Sequence, residues 1–256
     1  MRYPSDLTNK QWEAVKHLVG RPDPRGARST YERREVINAI LYLNKAGCQW
    51  RMLPKHFPKW QNVYNHFRRM EERGVWQELC WTLNELARKK KGRKPTPSYL
   101  LMDSQSVKTL AEGEERGFHG GKKIKGRSRQ VATDTEGNLW MVHVHAANFP
   151  DTKEGCVLAY KSLDKLPEVE AICADQGYRG TFAEYVREQW NREVHFTSRE
   201  GKGFAVEPKR WVVERTFGWF NGQRRLGKDH EKLTANSEAM VYIAAIARSL
   251  RSPSFN

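Results

Sequence analysis

The sequence has few cysteines, no long apolar segment and a shortage of acidic residues, and each of these excludes a class of protein. Its four cysteines form no CxxC pair, which argues against a disulfide framework and a zinc site. No segment approaches the ~18 consecutive apolar residues of a transmembrane helix. The N-terminal segment MRYPSDLTNKQW lacks the apolar core of a signal peptide. These absences predict a cytoplasmic protein with reduced thiols.

The shortage of acids leaves a net charge of +15, with 45 Lys and Arg residues against 30 Asp and Glu residues. Two basic runs, RKKKGRK at 88–94 and KKIKGRSR at 122–129, concentrate part of this excess. One such run is compatible with a solvated surface or a linker. Two runs together with the overall excess favour a polyanionic partner, with nucleic acid ahead of an anionic membrane surface.

Roughly the first 90 residues have the apolar spacing of helices. Thr8 with Gln11, and Ser29 with Glu32, match the capping box, in which two side chains bond to each other's backbone at the start of a helix. The helix after Ser29 should stop near Gly47, because glycine accepts the left-handed conformation that ends many helices. The pattern predicts an all-helical N-terminal region.

A helix, a proline-containing connection at 50–58 and a second helix at 60–74 with polar side chains form the arrangement that a helix-turn-helix protein needs to read DNA. A further helix is predicted at 75–90. Asn and Gln can pair with adenine edges, and Arg can pair with guanine or with phosphate. The alternative is that these side chains are only solvated, as polar residues on a helix usually are. The candidate DNA-contacting residues on the helix at 60–74 are Gln61, Asn65, Arg68 and Arg69.

The pattern changes after the basic, proline-containing segment 91–98, which is predicted to be a linker. Beyond it, short apolar runs alternate with amphipathic segments, as in an α/β domain whose sheet is partly parallel. A turn at 135–138 separates two predicted strands within 129–148. Further strands are predicted at 99–104, 169–175 and 194–198, and helices at 152–166, 181–191, 208 to about 225, and 237–251.

Two histidines, His143 and His145, alternate along the second strand of that hairpin, so both should lie on one face of it. Two histidines at this spacing can ligate a metal ion. A solvent-facing side of the strand is the simpler interpretation, and it is the one we expect.

Two predicted strands end in an aspartate, Asp103 in LLMD and Asp175 in ICAD. Functional groups collect at the carboxyl ends of strands in open α/β sheets, so neighbouring strands would bring both carboxylates to one edge. Aspartate is also common after a strand as a turn or cap residue, and each position taken separately is compatible with that role.

A third acid, Glu214, lies in the predicted helix PKRWVVERTFGWFNGQRRLG at 208–227. It could form a helix salt bridge with Arg210, which would stabilise the helix only slightly. It could instead lie on a buried face and join Asp103 and Asp175 in a cluster of three carboxylates. Such a cluster needs a cation to offset its repulsion, and Mg²⁺ or Mn²⁺ suits oxygen ligands. Two such ions can promote the hydrolysis of a phosphodiester.

Several long motifs occur along the chain, and three of them contain these acids. They are MDSQSVKT, GKKIKGR, VHAAN, ADQGYRG and PKRWVVERTFGWFNGQRRLGKDHE in the second part of the chain, and LTNKQWE, GCQWRMLP and FPKWQNVYNHFRRM in the first. Through these motifs the chain resembles bacterial insertion-sequence transposases of the IS5 group, within the wider IS4-like class of DDE transposases. The resemblance extends over essentially the whole length.

The resemblance implies an RNase H-like catalytic domain at 99–256, preceded by a helix-turn-helix-like DNA-binding domain at 1–90 and a basic linker at 91–98. It also implies two Mg²⁺ or Mn²⁺ ions. The interval between the last two acids is too short for the β-rich insertion that some relatives carry, so the catalytic domain should be compact. The implied catalytic and metal-binding triad is Asp103, Asp175 and Glu214.

The implied activity is that of a DNA transposase, which binds terminal inverted repeats, cleaves the element ends and joins the 3′-OH ends to target DNA. A homodimer on DNA is expected because two ends must meet, and the setting is the bacterial nucleoid. Two alternatives stay open at this point. One is a catalytically silent, domesticated DNA-binding protein, and the other is an RNase H-like nuclease without strand transfer.

The segment around the glutamate departs from the pattern of the wider class. Arg210 matches its arginine and is expected to hold DNA or to orient Glu214. Glu207 and Asn221 stand where the class has tyrosine and lysine. We expect Arg224 and Arg225, about three turns further along the same helix, to contact the phosphate instead. In the basic run, the residues expected to lie along DNA are Lys122, Lys123, Lys125 and Arg127.

Overall fold

The computed structural model describes residues 2–19, 31–197, 210–253 and 255, and it begins with helices. These are α1 (Asn9–Val19), α2 (Arg33–Ala46), α3 (Trp60–Glu72) and α4 (Val75–Lys90), with a short 3₁₀ turn at Trp50–Met52 before α3. Each helix buries apolar residues against its neighbours, so the predicted all-helical region is confirmed. No helix within the described ranges has the length and apolar character needed to cross a membrane.

The capping box at the start of α1 is confirmed. The Thr8 amide donates to Oε1 of Gln11 at 3.0 Å, and the Gln11 amide donates to Oγ1 of Thr8 at 3.2 Å. Nε2 of Gln11 also donates to the Leu250 carbonyl at 2.8 Å, which joins α1 to the C-terminal part of the chain. Gly47 ends α2 with a φ of 72°, as predicted, while Ser29 lies outside the described residues.

Thr8→Ala should remove the hydroxyl half of this box and leave the Gln11 amide without its acceptor. We expect the free energy of unfolding to fall by about 1 kcal/mol, measured by urea denaturation. Thr8→Ser keeps the hydroxyl and is the matched control. Equal unfolding midpoints for Thr8→Ala and the wild type would show that the box does not stabilise α1.

A six-stranded mixed sheet follows the helices. Its strands are β1 (Tyr99–Lys108), β2 (Gly117–His119), β3 (Ile124–Thr133), β4 (Leu139–Ala146), β5 (Ala171–Ala174) and β6 (Glu193–Phe196). β1 is central, antiparallel to β3 and parallel to β5, and β6 extends the parallel side. β2 pairs with the first residues of β3, and β4 pairs with the rest. The predicted α/β class with a partly parallel sheet is therefore confirmed.

Helices cover both faces of the sheet. They are α5 (Asp151–Leu163) and α6 (Thr181–Trp190) on one face, and α7 (Arg210–Asn221) and α8 (Thr234–Leu250) on the other. The alternation of side chains along β1 divides the core, since Leu100 and Met102 pack toward α5 and α6 while Leu101 packs toward α7 and α8. The apolar cluster around α8 continues into α1–α4. The helical region and the sheet thus share one core, and the domain boundaries at 90 and 99 stay a prediction.

β1 is longer than predicted. It passes Asp103 and continues to Lys108, because residues 104–108 pair with β3 in a regular antiparallel register. Most of these residues are polar and half-buried, so the apolar pattern from which strands are predicted ends before the strand does. β2 has too few residues to give such a pattern.

α7 is shorter than predicted, since it ends at Asn221 rather than near 225. Gly222 disfavours a further helical turn, and Arg224–Leu226 form a separate 3₁₀ turn. Arg224 and Arg225 are therefore not carried on the helix of Glu214, and the prediction that they continue that helix is wrong.

His143 and His145 share one face of β4, as predicted, with ring centroids 5.5 Å apart. The prediction that this face is exposed to solvent is wrong, because α5 covers it. Nε2 of His143 and Oε2 of Glu154 in α5 are 2.8 Å apart, and His145 is buried. Burial lowers the pKa of His145, so this imidazole is neutral at pH 7.

Candidate active site

Asp103 and Asp175 lie side by side on neighbouring parallel strands. The last paired residues of β1 and β5 are Leu101 and Cys173, and each aspartate is two residues further along. Since side chains alternate along a strand, both carboxylates lie on the face of Leu101 and Cys173, which α7 covers. Both acids line one shallow depression, whose walls include Val213 of α7. They meet at the carboxyl end of β5, as their sequence positions predict.

Local hydrogen bonds position both carboxylates. Oδ1 of Asp103 accepts the Ser104 amide at 2.7 Å. Oδ1 of Asp175 accepts the Gly177 amide at 2.8 Å and so caps the 3₁₀ turn Gln176–Tyr178. Asp175 therefore does act as a cap residue, as the sequence allowed. The capping hydrogen bond uses one of its carboxylate oxygens and keeps the side chain beside Asp103.

Glu214 lies on the exposed side of α7, next to Val213, and not on a buried face as predicted. It shares a stripe of the helix with Asn221, whose Oδ1 accepts a hydrogen bond from Nε2 of Gln105 in β1 at 3.5 Å. Gln105 is on the same side of β1 as Asp103. The stripe that carries Glu214 therefore runs along the acid-bearing part of β1.

Apolar residues take the buried side of α7, which explains the exposure of Glu214. They are Val212, Val213, Phe217 and Phe220. Cation–π contacts hold a second side of α7. The Arg215 guanidinium lies 4.2 Å from the ring centroid of Trp211 and 4.5 Å from that of Trp219. Arg248 of α8 lies 3.3 Å from the Trp219 centroid. Burial, followed by the charge of Arg215, lowers the pKa of Arg248 to about 10.

The pair of carboxylates fits a hard divalent cation in charge and in ligand type, since Mg²⁺ and Mn²⁺ prefer oxygen ligands. Asp103 and Asp175 present such oxygens at one depression. Within the described ranges, no three side chains of His, Cys, Asp or Glu stand close enough together to hold one ion. In this conformation Glu214 therefore does not complete a ligand set with the other two acids.

Tyr178, which no sequence pattern singled out, lies in the 3₁₀ turn that Asp175 caps and is buried. Burial raises the pKa of its hydroxyl well above the ordinary value, and the charges of Asp151, Asp103 and Asp175 raise it further. The phenol therefore stays neutral in this turn. The signal that could have found it is its position in ADQGYRG, where an aromatic residue closely follows a strand-end acid.

The basic residues predicted to contact DNA divide into exposed and buried groups. The exposed ones outside the helical region are Arg224, on the 3₁₀ turn, and Lys122, Lys123 and Lys125, on the hairpin of β2 and β3. β1 pairs with β3 up to this hairpin, which places the hairpin about 17 Å beyond Asp103 at ~3.3 Å per residue. The side chain of Arg210 lies outside the described part of the chain.

Arg127 and Arg225 are buried, and their prediction as DNA contacts does not fit this placement. The Arg127 guanidinium donates to Oδ2 of Asp229 at 3.2 Å and to three backbone carbonyls. Arg225 donates to Oε1 of Glu231 at 2.7 Å and to the Cys48 carbonyl at 2.9 Å. Internal acceptors thus hold both guanidiniums, because the basic run enters β3 and the segment after α7 packs into the core.

On α3, the side chains of Gln61, Asn65 and Arg69 are exposed. Arg68 is half-buried and donates to Oε1 of Glu72 at 2.9 Å, so its charge is balanced within the helix. The contact of these four residues with DNA stays a prediction.

A mixed sheet that carries two aspartates on neighbouring parallel strands, with a glutamate-bearing helix over the same face, defines an RNase H-like domain of the DDE class. Residues 94–250, more than half of the chain, match the family described as "Transposase DDE domain", and the chain belongs to this family of transposases. Residues 7–80 match a second family, described as "Putative transposase of IS4/5 family". The resemblance found in the motifs is confirmed, and DNA is the partner that the family implies.

Two relatives are similar to parts of the chain. "Uncharacterized protein y4sN" of Sinorhizobium fredii is 28% identical over 104 residues, which cover 40% of this chain and 75% of that protein. "Insertion element IS402 uncharacterized 16.2 kDa protein" of Burkholderia cepacia is 26% identical over 117 residues, which cover 43% of this chain and 78% of that protein. The name of the second relative associates it with an insertion element.

Proposed function

We propose that this transposase binds the terminal inverted repeats of its insertion sequence, cleaves the element ends and joins the resulting 3′-OH ends to target DNA. The observation that carries the proposal is the placement of Asp103 and Asp175 in one depression on neighbouring strands. The chain as a whole carries a net charge of +15, which supports a polyanionic substrate for this acidic pair. We further propose that Asp103, Asp175 and Glu214 hold two Mg²⁺ or Mn²⁺ ions.

Bound ions of this kind supply the positive charge that activates an attacking hydroxyl and stabilises a leaving oxygen. The protein's own groups prepare the site, because the amides of Ser104 and Gly177 hold the two aspartates. A rotamer change of Glu214 on the exposed side of α7 would bring its carboxylate toward the pair.

The reaction proceeds in two transfers at this one site. Water attacks the phosphorus at the element end, the bond to the 3′ oxygen breaks, and a 3′-OH is released. That 3′-OH then attacks a phosphodiester of target DNA and displaces its 3′ oxygen. No covalent bond to the protein forms, so the scheme needs no nucleophilic Ser or Tyr.

The exposed cations give this site a surface for DNA. The lysines of the β2–β3 hairpin and Arg224 would contact backbone phosphates, and α3 would read the inverted repeat. Phosphate contacts make such binding strongly dependent on salt. Because two element ends must be joined to one target, we propose a homodimer on DNA, acting in the bacterial nucleoid.

The test uses a labelled duplex that carries the DNA flanking the gene, with supercoiled plasmid, in Mg²⁺ or in EDTA. We expect cleavage at the element end in Mg²⁺ alone, with label joined to plasmid. Salt-sensitive binding without cleavage would indicate a silent DNA-binding protein. Cleavage without joined product would indicate a nuclease without strand transfer.

A further inference from the structure

A basic cleft with a volume of about 270 Å³ opens among the helices of the N-terminal region, away from the acids. Three arginines and a histidine line it, and so does one described carboxylate, that of Glu78 in α4. The cationic and imidazole residues are Arg33 of α2 and His66, Arg69 and Arg73 of α3, and the apolar residues are Leu18, Val19, Met70 and Val75. The cleft thus combines a positive lining with an apolar surface.

α3 carries two adjacent polar stripes because residues three and four apart share a side of a helix. One stripe includes the candidate base-reading residues and Arg68, and it ends in Glu72, which balances the Arg68 charge at 2.9 Å. The other consists of His66, Arg69 and Arg73 and borders the cleft. Two arginines of α3 therefore stand on the side of the cleft.

The charges of two different helices converge inside the cleft. Burial lowers the pKa of His66, and the charges of Arg33 and Arg69 lower it further, so its imidazole is neutral at pH 7. Nη1 of Arg33 donates to the Val19 carbonyl at 3.2 Å, which directs this guanidinium to the cleft. An anion at this position would meet guanidiniums from α2 and α3 together.

We propose that this cleft is the phosphate-binding site of the helical region, where Arg33, Arg69 and Arg73 hold a DNA backbone phosphate. The proposal rests on the proposed DNA binding and specifies where it occurs. A phosphodiester suits the cleft because a guanidinium can bind two phosphate oxygens at once. A backbone contact here would fix the register of the neighbouring stripe, which would place Gln61 and Asn65 at base edges.

In a binding assay with the full chain in EDTA, Arg69→Gln and Arg33→Gln should each weaken duplex binding about eightfold at 0.1 M salt. Each should also reduce the slope of log K against log salt, by at most about 0.9, the contribution of one neutralised phosphate. The loss should be equal for the element-end duplex and a scrambled duplex, because phosphate contacts do not depend on sequence. The matched control is Arg192→Gln, which removes the same charge between α6 and β6 and should leave the slope unchanged.

Cleavage is suppressed in EDTA, so this result does not depend on strand transfer. If Arg69→Gln binds duplex as tightly as the wild type and with the same slope, the proposal for the cleft is wrong and the proposed function still stands. If the wild-type chain binds no duplex, both the cleft proposal and the proposed function are wrong. Arg69 is exposed, so its variant decides the matter if Arg33→Gln, which loses the bond to Val19, fails to fold. Calorimetric binding of inorganic phosphate that is lost in Arg69→Gln, while duplex binding stays at the wild-type level, would assign the cleft to free phosphate instead.

Discussion

Asp103→Asn should reduce the rate of cleavage at the element end at least ~1000-fold, because a site that loses several kcal/mol of charge stabilisation loses that factor in rate. The substitution removes a negative charge and one carboxylate oxygen. It keeps the shape of the side chain and the Oδ1 atom that accepts the Ser104 amide. Duplex binding in EDTA should therefore stay within about twofold of wild type, since the variant leaves the basic surfaces unchanged.

The measurement is a single-turnover cleavage assay in Mg²⁺. The matched control is Asp164→Asn, which removes the same charge at the exposed C-terminal cap of α5 and should cleave like the wild type. Because the acids act as a unit, combining Asp103→Asn with Asp175→Asn should slow the reaction little beyond either single variant. Cleavage at the wild-type rate by Asp103→Asn would remove this residue from the site.

Asp229→Ala should lower the free energy of unfolding by about 3–5 kcal/mol, since it leaves a buried guanidinium without its counter-charge. Arg127 and Asp229 are 0% and 1% exposed at the side chain, and their N–O distance is 3.2 Å. Asp229 also accepts the Ser237 hydroxyl at 2.7 Å and the Glu231 amide at 3.0 Å. Removing the carboxylate therefore breaks the contact among β3, the segment before α8, and α8 itself.

We expect the thermal midpoint of unfolding to fall by roughly 10 °C, as measured by calorimetry. Glu112→Gln is the matched control, because the ion pair of Glu112 with Lys232 joins neighbouring segments but is 75% and 72% exposed. An exposed pair contributes little, so this variant should melt with the wild type. Equal midpoints for Asp229→Ala and Glu112→Gln would show that the buried pair does not hold β3 to α8.

The elements with a clear apolar period are predicted well from the sequence. The helix expected at 75–90 is found at Val75–Lys90, and the turn at 135–138 joins β3 to β4. The two aspartates could be placed together because each follows a short apolar run, and strands with such runs tend to be buried neighbours. The apolar pattern of the sequence therefore identifies most strands of the sheet and the first two acids of the site.

Burial of charged residues could not be predicted in the same way, because it depends on partners distant in the sequence. Arg127 belongs to a basic run that looks solvated, yet its counter-charge, Asp229, follows about a hundred residues later. The exposure of Glu214 is set by the valines and phenylalanines that compete for the buried side of α7. The convergence of Arg33 with Arg69 likewise requires α2 and α3 to be packed together.

α8 contributes apolar residues to the helical region and to the sheet, and the carbonyl of its last residue, Leu250, accepts a hydrogen bond from Gln11 in α1. We therefore expect the two parts to fold cooperatively, so that a piece beginning at residue 99 would be unstable without the helices before it. Proteolysis between the two parts, followed by their separation, should expose the apolar side of α8 and unfold the RNase H-like domain together with the helical region. A chain built in this way would not lose its helical region and keep a folded RNase H-like domain.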